Sequence, residues 1–229
     1  MSKKHIKRIA APRTWGITRK SSTYAVRPFP GAHPMQSGIS LHLLLQGIFP
    51  QATGREIRHI LQNQEVLVDG KRRKEKKHIV GPMDVISLPG IAKQYRAMIS
   101  PANTIVAQEI AAADAGWKIC KVTGKHRRSA KELWLHLGSG RNLLMQKDAY
   151  PIGDSVVIRL PSQEIVSHIP LQKGAWVCLT AGRHVGKIGT VEGIEGKKIT
   201  VHAGDEQFDT LKEYAIAVGK DKPLVEGKG

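Results

Sequence analysis

The sequence contains only two cysteines, Cys120 and Cys178, set far apart. That spacing is neither a zinc-ligand pattern nor a disulfide framework, so an intracellular protein is expected. Aromatic residues make up 5% and hydrophobic residues 41% of the 229 positions, the lean end for an enzyme. No apolar run reaches the roughly 18 residues that a membrane-spanning helix needs. The basic segment Met1 to Ala10 lacks the apolar stretch of a secretory signal. The most telling shortage is of acids. Residues 1–55 hold nine Lys and Arg but no Asp or Glu, and Glu56 is the first carboxylate.

What is present is positive charge. The chain carries +17, with a pI of about 10.1. Net charge runs +9 over residues 1–55, +2 over 56–92, +6 over 93–173 and zero over 174–229. Fifty-five residues without a carboxylate repel themselves unless a polyanion neutralises them. The expected partner is therefore an anionic polymer, held in a salt-sensitive way. The length suits one or two ordinary domains, or three small ones.

Residues 1–38 contain Pro12, Pro28, Pro30 and Pro34 with Gly16, Gly31 and Gly38, a density that helix and strand interiors rarely tolerate. The expectation is an extended basic arm that orders on a partner. Trp15 and Tyr24 are placed either to stack on bases or, equally for Trp15, to anchor on the protein's own core. The run His5-x-Lys7-Arg8-Ile9-Ala10-x-Pro12-x-x-Trp15-x-Ile17-x-Arg19 resembles the N-terminal signature of the archaeal and eukaryotic small-subunit ribosomal protein family S4e. Pro28-x-Pro30-Gly31-x-His33 continues the likeness.

In residues 39–92, Leu41, Leu44, Leu45 and Ile48 recur at helical spacing, and Pro50 ends that helix. Thr53-x-x-Glu56 opens a second helix with a capping box, burying Ile57, Ile60 and Leu61. Val66 to Val68 reads as a strand, Asp69-Gly70 as a turn, and Val85 to Leu88 as a closing strand. Six of the seven residues 71–77 are basic. The order of elements, with Thr53 to Arg58, Val66 to Lys71 and Gly81 to Ile86, resembles the S4 RNA-binding domain. Pro82-Met83 departs from it, since the family more often has Gly before Asp84. The resemblance implies RNA contacts at Arg55, Arg58, Lys71, Arg72, Arg73, Lys74, Lys76 and Lys77. In the arm the candidates are Lys3, Lys4, His5, Lys7, Arg8, Arg13, Trp15, Arg19 and Lys20.

Residues 93–173 hold short β-branched or alternating runs, and a small antiparallel β domain is expected. Lys118, Lys121, Lys125, Arg127, Arg128 and Lys131 make a second basic stretch, of which Lys125, Arg127 and Arg128 are candidate RNA contacts. Leu135 to Asn142 is similar to the central domain of S4e, with Ser139 where Asp is more usual. In residues 174–229, Gly182-x-x-x-Gly186-x-x-Gly189-x-Val191 resembles the KOW motif of an SH3-like barrel. That likeness implies contacts at Arg183, His184 and Lys187.

A phosphate loop of the NTPase kind is excluded here, because Ala181 and Ile188 replace the required Gly and Ser/Thr. No HExxH or GxSxG occurs. His33, like His5, His126 and His184, is read as RNA-facing or solvated. His42, His59, His136 and His168 are read as scaffold. The expected fold class is thus α+β and multidomain: a basic extended arm (1–38), an S4-type α/β domain (39–92), a central antiparallel β domain (93–173) and a KOW-bearing SH3-like barrel (174–229). The expected function is structural and non-enzymatic, in the cytoplasmic small ribosomal subunit. Its partners are then small-subunit ribosomal RNA and neighbouring ribosomal proteins, with no membrane, metal, cofactor or small-molecule substrate. The alternative is a free RNA-binding translation or transcription factor whose barrel takes a protein partner.

Overall fold

The computed structural model describes residues 5–129, 132–204 and 206–225. Among these residues strands dominate, with two α-helices, and the chain divides into two compact units. The first runs to Gly116 except for Ser100–Ala102; the second takes Ser100–Ala102 and the chain from Trp117.

The first unit begins with a short hairpin, β1 (His5–Lys7) against β2 (Tyr24–Val26). Then come β3 (Ile39–Ser40), α1 (Leu41–Ile48) and α2 (Gly54–Asn63). Ser40 caps α1 by accepting from the Leu43 N–H at 3.4 Å. Leu41, Leu44 and Leu45 are buried, as their spacing predicts. The capping box of α2 is complete: Thr53 Oγ1 accepts from Glu56 N–H at 3.3 Å, and Glu56 Oε2 accepts from Thr53 N–H at 2.6 Å. Such a cap contributes about 1 kcal/mol. Ile57 and Leu61 seat α2 on the core, and each buried side chain of this size contributes about 1.5–3 kcal/mol.

Strands β4 (Leu67–Val68), β5 (Lys71–Arg72), β6 (Ile79–Val80), β7 (Val85–Leu88), β8 (Lys93–Ile99) and β9 (Ile105–Ile110) follow. A five-stranded sheet runs β5-β4-β7-β8-β9, while β3 pairs with β6. Residues 93–116 thus pack with the S4-like elements. Buried Arg96 on β8 reinforces this by donating to the Asp114 carbonyl at 2.8 Å. Asp69 and Asp84 are turn residues: Asp69 accepts from Val85 N–H at 3.0 Å and Asp84 from Gly81 N–H at 2.9 Å. Met83 takes the left-handed φ of 69° at the position where the S4 pattern has Gly, and it is held there with a buried side chain.

The arm is not extended. Trp15 is 3% exposed, and its Nε1 donates to the Gly38 carbonyl at 2.8 Å. Ala11 and Ala25 are buried beside it in the same core. Thr14 Oγ1 donates to Gln36 O at 2.6 Å, and Phe29 N–H donates to Lys77 O at 2.8 Å. The Pro/Gly density prevents long regular elements, yet short 3-10 turns and one hairpin satisfy the backbone well enough to bury these residues. His33 is likewise buried, not RNA-facing: its Nε2 lies 3.1 Å from both oxygens of the buried Asp84 carboxylate.

The second unit has two antiparallel sheets. Strands β10 (Trp117–Arg127), β11 (Leu133–Leu137), β12 (Asn142–Met145), β13 (Ser155–Arg159) and β14 (Ile165–Ile169) pair in the order β12-β11-β10-β13-β14. Strands β15 (Trp176–Leu179), β16 (Ile188–Glu195), β17 (Lys198–Ala203), β18 (Glu206–Leu211) and β19 (Ala215–Gly219) pair as β18-β17-β16-β15-β19. Lys121 joins the sheets: its ammonium donates to the carbonyls of Lys212, Glu213 and Ala215, each at 2.8 Å. Burial draws its pKa down to about 8.

The glycines of the 182–191 stretch are explained by packing. Gly182 and Gly186 have φ of 86° and 81°. A Cβ on Gly186 would lie 2.4 Å from the Ser100 backbone, and one on Gly189 2.4 Å from the His202 carbonyl oxygen. Gly189 and Val191 lie in a strand, not at the start of a helix as a phosphate loop requires.

Candidate nucleic-acid interface

Two groups of cations come together in the first unit. Arg8, Arg13 and Arg19 line a cavity of about 270 Å³ with Ala11, Pro12 and Ile17. Arg8 is held in place by donating to Thr18 O at 2.9 Å and Ser21 Oγ at 2.7 Å. Three arginines lining one small cavity suit a phosphate, whose oxygens accept paired N–H bonds. His5, Lys7 and Lys20 are exposed nearby in sequence. His5 lies with its ring 5.8 Å from the exposed Tyr24.

The second group is built on α2 and the turn after β4. Arg55 and Arg58 are exposed on α2; Lys71, Arg72 and Lys74 are exposed on and after β5, while Arg73, Lys76 and Lys77 are half-buried. The two elements meet at His42. Its backbone N–H donates to the Lys76 carbonyl at 3.0 Å. Its imidazole pKa is lowered by burial, then by the charges of Lys76 and Arg58. One helix face and one turn therefore raise the same local positive potential. Edge position gives β5 a second reason to be basic, since Lys and Arg discourage strand addition there.

Other candidates are already engaged. Trp15 is a core anchor, so base stacking does not fall to it. In the second unit Lys125 pairs with Asp148, and Lys187 pairs with Glu206. The His184 ring stacks on Phe208 at 3.7 Å. Lys118 is buried and Lys121 serves the sheet junction, so residues 115–129 form no continuous basic face. Arg127, Arg128 and Arg183 remain exposed. Lys3, Lys4 and Lys131 lie outside the described residues. His59, read as scaffold, is exposed on α2 beside Arg55, because a polar helix face carries no periodic signal of its own. Phe29 is 48% exposed, and the exposure of an apolar residue leaves no local signature in the sequence.

Among the described residues no cluster of three or more His, Cys, Asp or Glu can hold a metal ion. No helix among them is long and apolar enough to cross a membrane. Both cysteines are buried and neither forms a disulfide, and burial pushes the Cys178 thiol up to about 12.

Two histidines set a pH dependence. Burial lowers the pKa of both His42 and half-buried His78 below 6.5; Lys76 and Arg58 add to it at His42, and Arg73 adds to it at His78 against the raising charges of Asp84 and Asp69. The unfolded chain then takes up protons that the folded chain resists, so stability is intact above about pH 6.5 and falls as pH drops below it. Thermal melts of the free protein should show this fall between about pH 7 and 5.5. A melting temperature that rises over that range would contradict the buried, cation-flanked placement.

Family comparisons agree with this layout. Residues 2–36 match the RS4NT (NUC023) domain, residues 44–86 the S4 domain, and residues 91–165 the ribosomal family S4e. The chain is 37% identical over 232 residues to the small ribosomal subunit protein eS4 of Methanocella arvoryzae, covering 97% of each. It is 36% identical to that of Methanocaldococcus jannaschii, covering 98% of this chain and 97% of the other. The crystal structure of the 30S ribosomal protein S4e from Thermoplasma acidophilum superposes with a TM-score of 0.72 at 29% identity, covering 80% of this chain and 96% of that one. With an S4 domain between its flanking family segments, and relatives matched over 97% or more of its length, the chain belongs to the S4e family of ribosomal proteins.

Proposed function

We propose that this protein is a structural constituent of the small ribosomal subunit in the cytoplasm, binding ribosomal RNA and neighbouring ribosomal proteins in support of translation. It acts by neutralising and positioning RNA and performs no catalysis. The observation that carries the reading is the convergence of α2 and the turn after β4 on one positive locus at His42, inside an S4 domain.

In this reading Arg55, Arg58, Lys71, Arg72 and Lys74 take backbone phosphates, and half-buried Arg73 and Lys76 reinforce them. Arg8, Arg13 and Arg19 hold a further phosphate in their shared cavity, with His5, Lys7 and Lys20 around it. Contacts of this kind read shape more than sequence. The four-part division at 38, 92 and 173 describes how the chain is used on RNA: arm, S4 domain, central domain and terminal barrel. The last sheet is read as an SH3-like barrel carrying a KOW motif, its glycines shaping the loop that presents Arg183. Arg127 and Arg128 serve as outlying contacts.

A salt titration of the full chain on small-subunit ribosomal RNA tests this. The logarithm of the affinity should fall linearly with the logarithm of salt, with a slope of about −5 or steeper for six or more phosphate contacts. A slope near zero would remove the phosphate-based reading.

A further inference from the structure

Phe29 presents about half of an aromatic ring at the surface. It is 48% exposed, on a segment otherwise tied down. Its backbone N–H donates to the Lys77 carbonyl at 2.8 Å. The Lys77 ammonium lies over the ring, 4.9 Å from the centroid. That cation occupies one face and leaves the exposed area to the other face and the edge. Beside the ring lies a cleft of about 420 Å³, walled by Arg27, Pro28, Pro30 and Met35 with Ile79 also lining it. This falls within the range of about 300–1,000 Å³ typical of small-molecule sites. The prolines fix φ in the wall, so little order remains to be imposed when the cleft fills. Gly31 lets that wall close on the floor, since a Cβ there would meet the Ile79 side chain at 2.6 Å.

We propose that this cleft is a stacking site for one unpaired RNA base, seated on Phe29, with Arg27 and Lys77 on the phosphates either side. The inference rests on the RNA-binding reading above and adds a contact of another kind. Phosphate neutralisation is blind to base pairing. A ring with one free face rewards only a base that has left its stack. The surrounding chemistry favours an anionic partner: no acid precedes Glu56, Asp84 is buried against His33, and the one acid of residues 71–77, Glu75, is engaged by the Lys77 backbone N–H at 3.1 Å and outnumbered by its basic neighbours. Lys77 also polarises the ring and holds its plane, so the platform is pre-formed.

The test compares two probes, a short oligouridylate and an RNA duplex of matched charge, on the full chain at one salt concentration. Phe29→Leu keeps apolar volume and loses the ring; Phe29→Ala loses both. Both variants should bind the single strand about 5- to 150-fold more weakly, the range for one lost base–aromatic stack. Duplex affinity and salt slope should stay at wild-type values, and the milder Phe29→Leu should melt within a few degrees of wild type. Equal loss on both probes would make Phe29 a support for the phosphate contacts and overturn the proposal. So would unchanged binding of both probes with reduced incorporation into small subunits, which would assign the ring to a protein neighbour. A wild-type chain that binds duplex but not single strand overturns this site alone. One that binds neither overturns the RNA-binding reading beneath it.

Discussion

Gly186→Ala should cost the second unit about 3 kcal/mol or more, a melting shift of roughly 10 °C or greater. Two independent effects add. The residue has φ 81°, a conformation that costs a residue with Cβ about 1–2 kcal/mol. The new Cβ would also sit 2.4 Å from the Ser100 carbonyl carbon and 2.6 Å from Pro101 N, so backbone must move. Gly174→Ala separates the effects. Its φ is 85°, but nothing lies within 4 Å of the added carbon. It should cost only the conformational part. Calorimetry of the two variants checks this: equal losses would show that the close approach at Ser100 is not real.

Replacing Arg55, Arg58, Lys71 and Arg72 together by Gln should weaken RNA binding by about a thousandfold at about 0.1 M salt and flatten the salt slope by about 3. All four are exposed, so folding stability should change little. The pairing of helix and strand residues is deliberate. If β5 is basic only to guard a sheet edge, the quadruple variant will aggregate more readily while its salt slope stays put. If the cations meet phosphate, the slope falls. Fluorescence titrations at several salt concentrations distinguish the two.

How much of this was legible depended on the range of the interaction. The helices α1 and α2 were readable because apolar spacing and a Thr-x-x-Glu cap are local, and the structure forms both. The basic turn was readable because its charges are consecutive. The fate of Trp15 was not. Its hydrogen-bond acceptor is Gly38, 23 residues away, and nothing near Trp15 announces it. The same holds for charge pairing. Lys125 on β10 meets Asp148 in the loop after β12, and Lys187 in the loop before β16 meets Glu206 on β18, so a stretch that looks basic in sequence is partly neutralised in space. Lys121 looked like one more surface cation until its acceptors, more than 90 residues on, came into place. The glycines of the last module were legible as a pattern but not as a cause. Their spacing invites a nucleotide-binding reading, whereas the Ser100 and His202 backbones supply the reason at Gly186 and Gly189.

The most direct test of the central claim is quantitative sedimentation of a cell extract at moderate salt, following this protein's copy number across the gradient. The account predicts about one copy per small subunit, retained through a salt wash. Protein that is mostly free, or far below one copy on the subunit, would contradict a structural role and point to a factor that cycles on and off RNA.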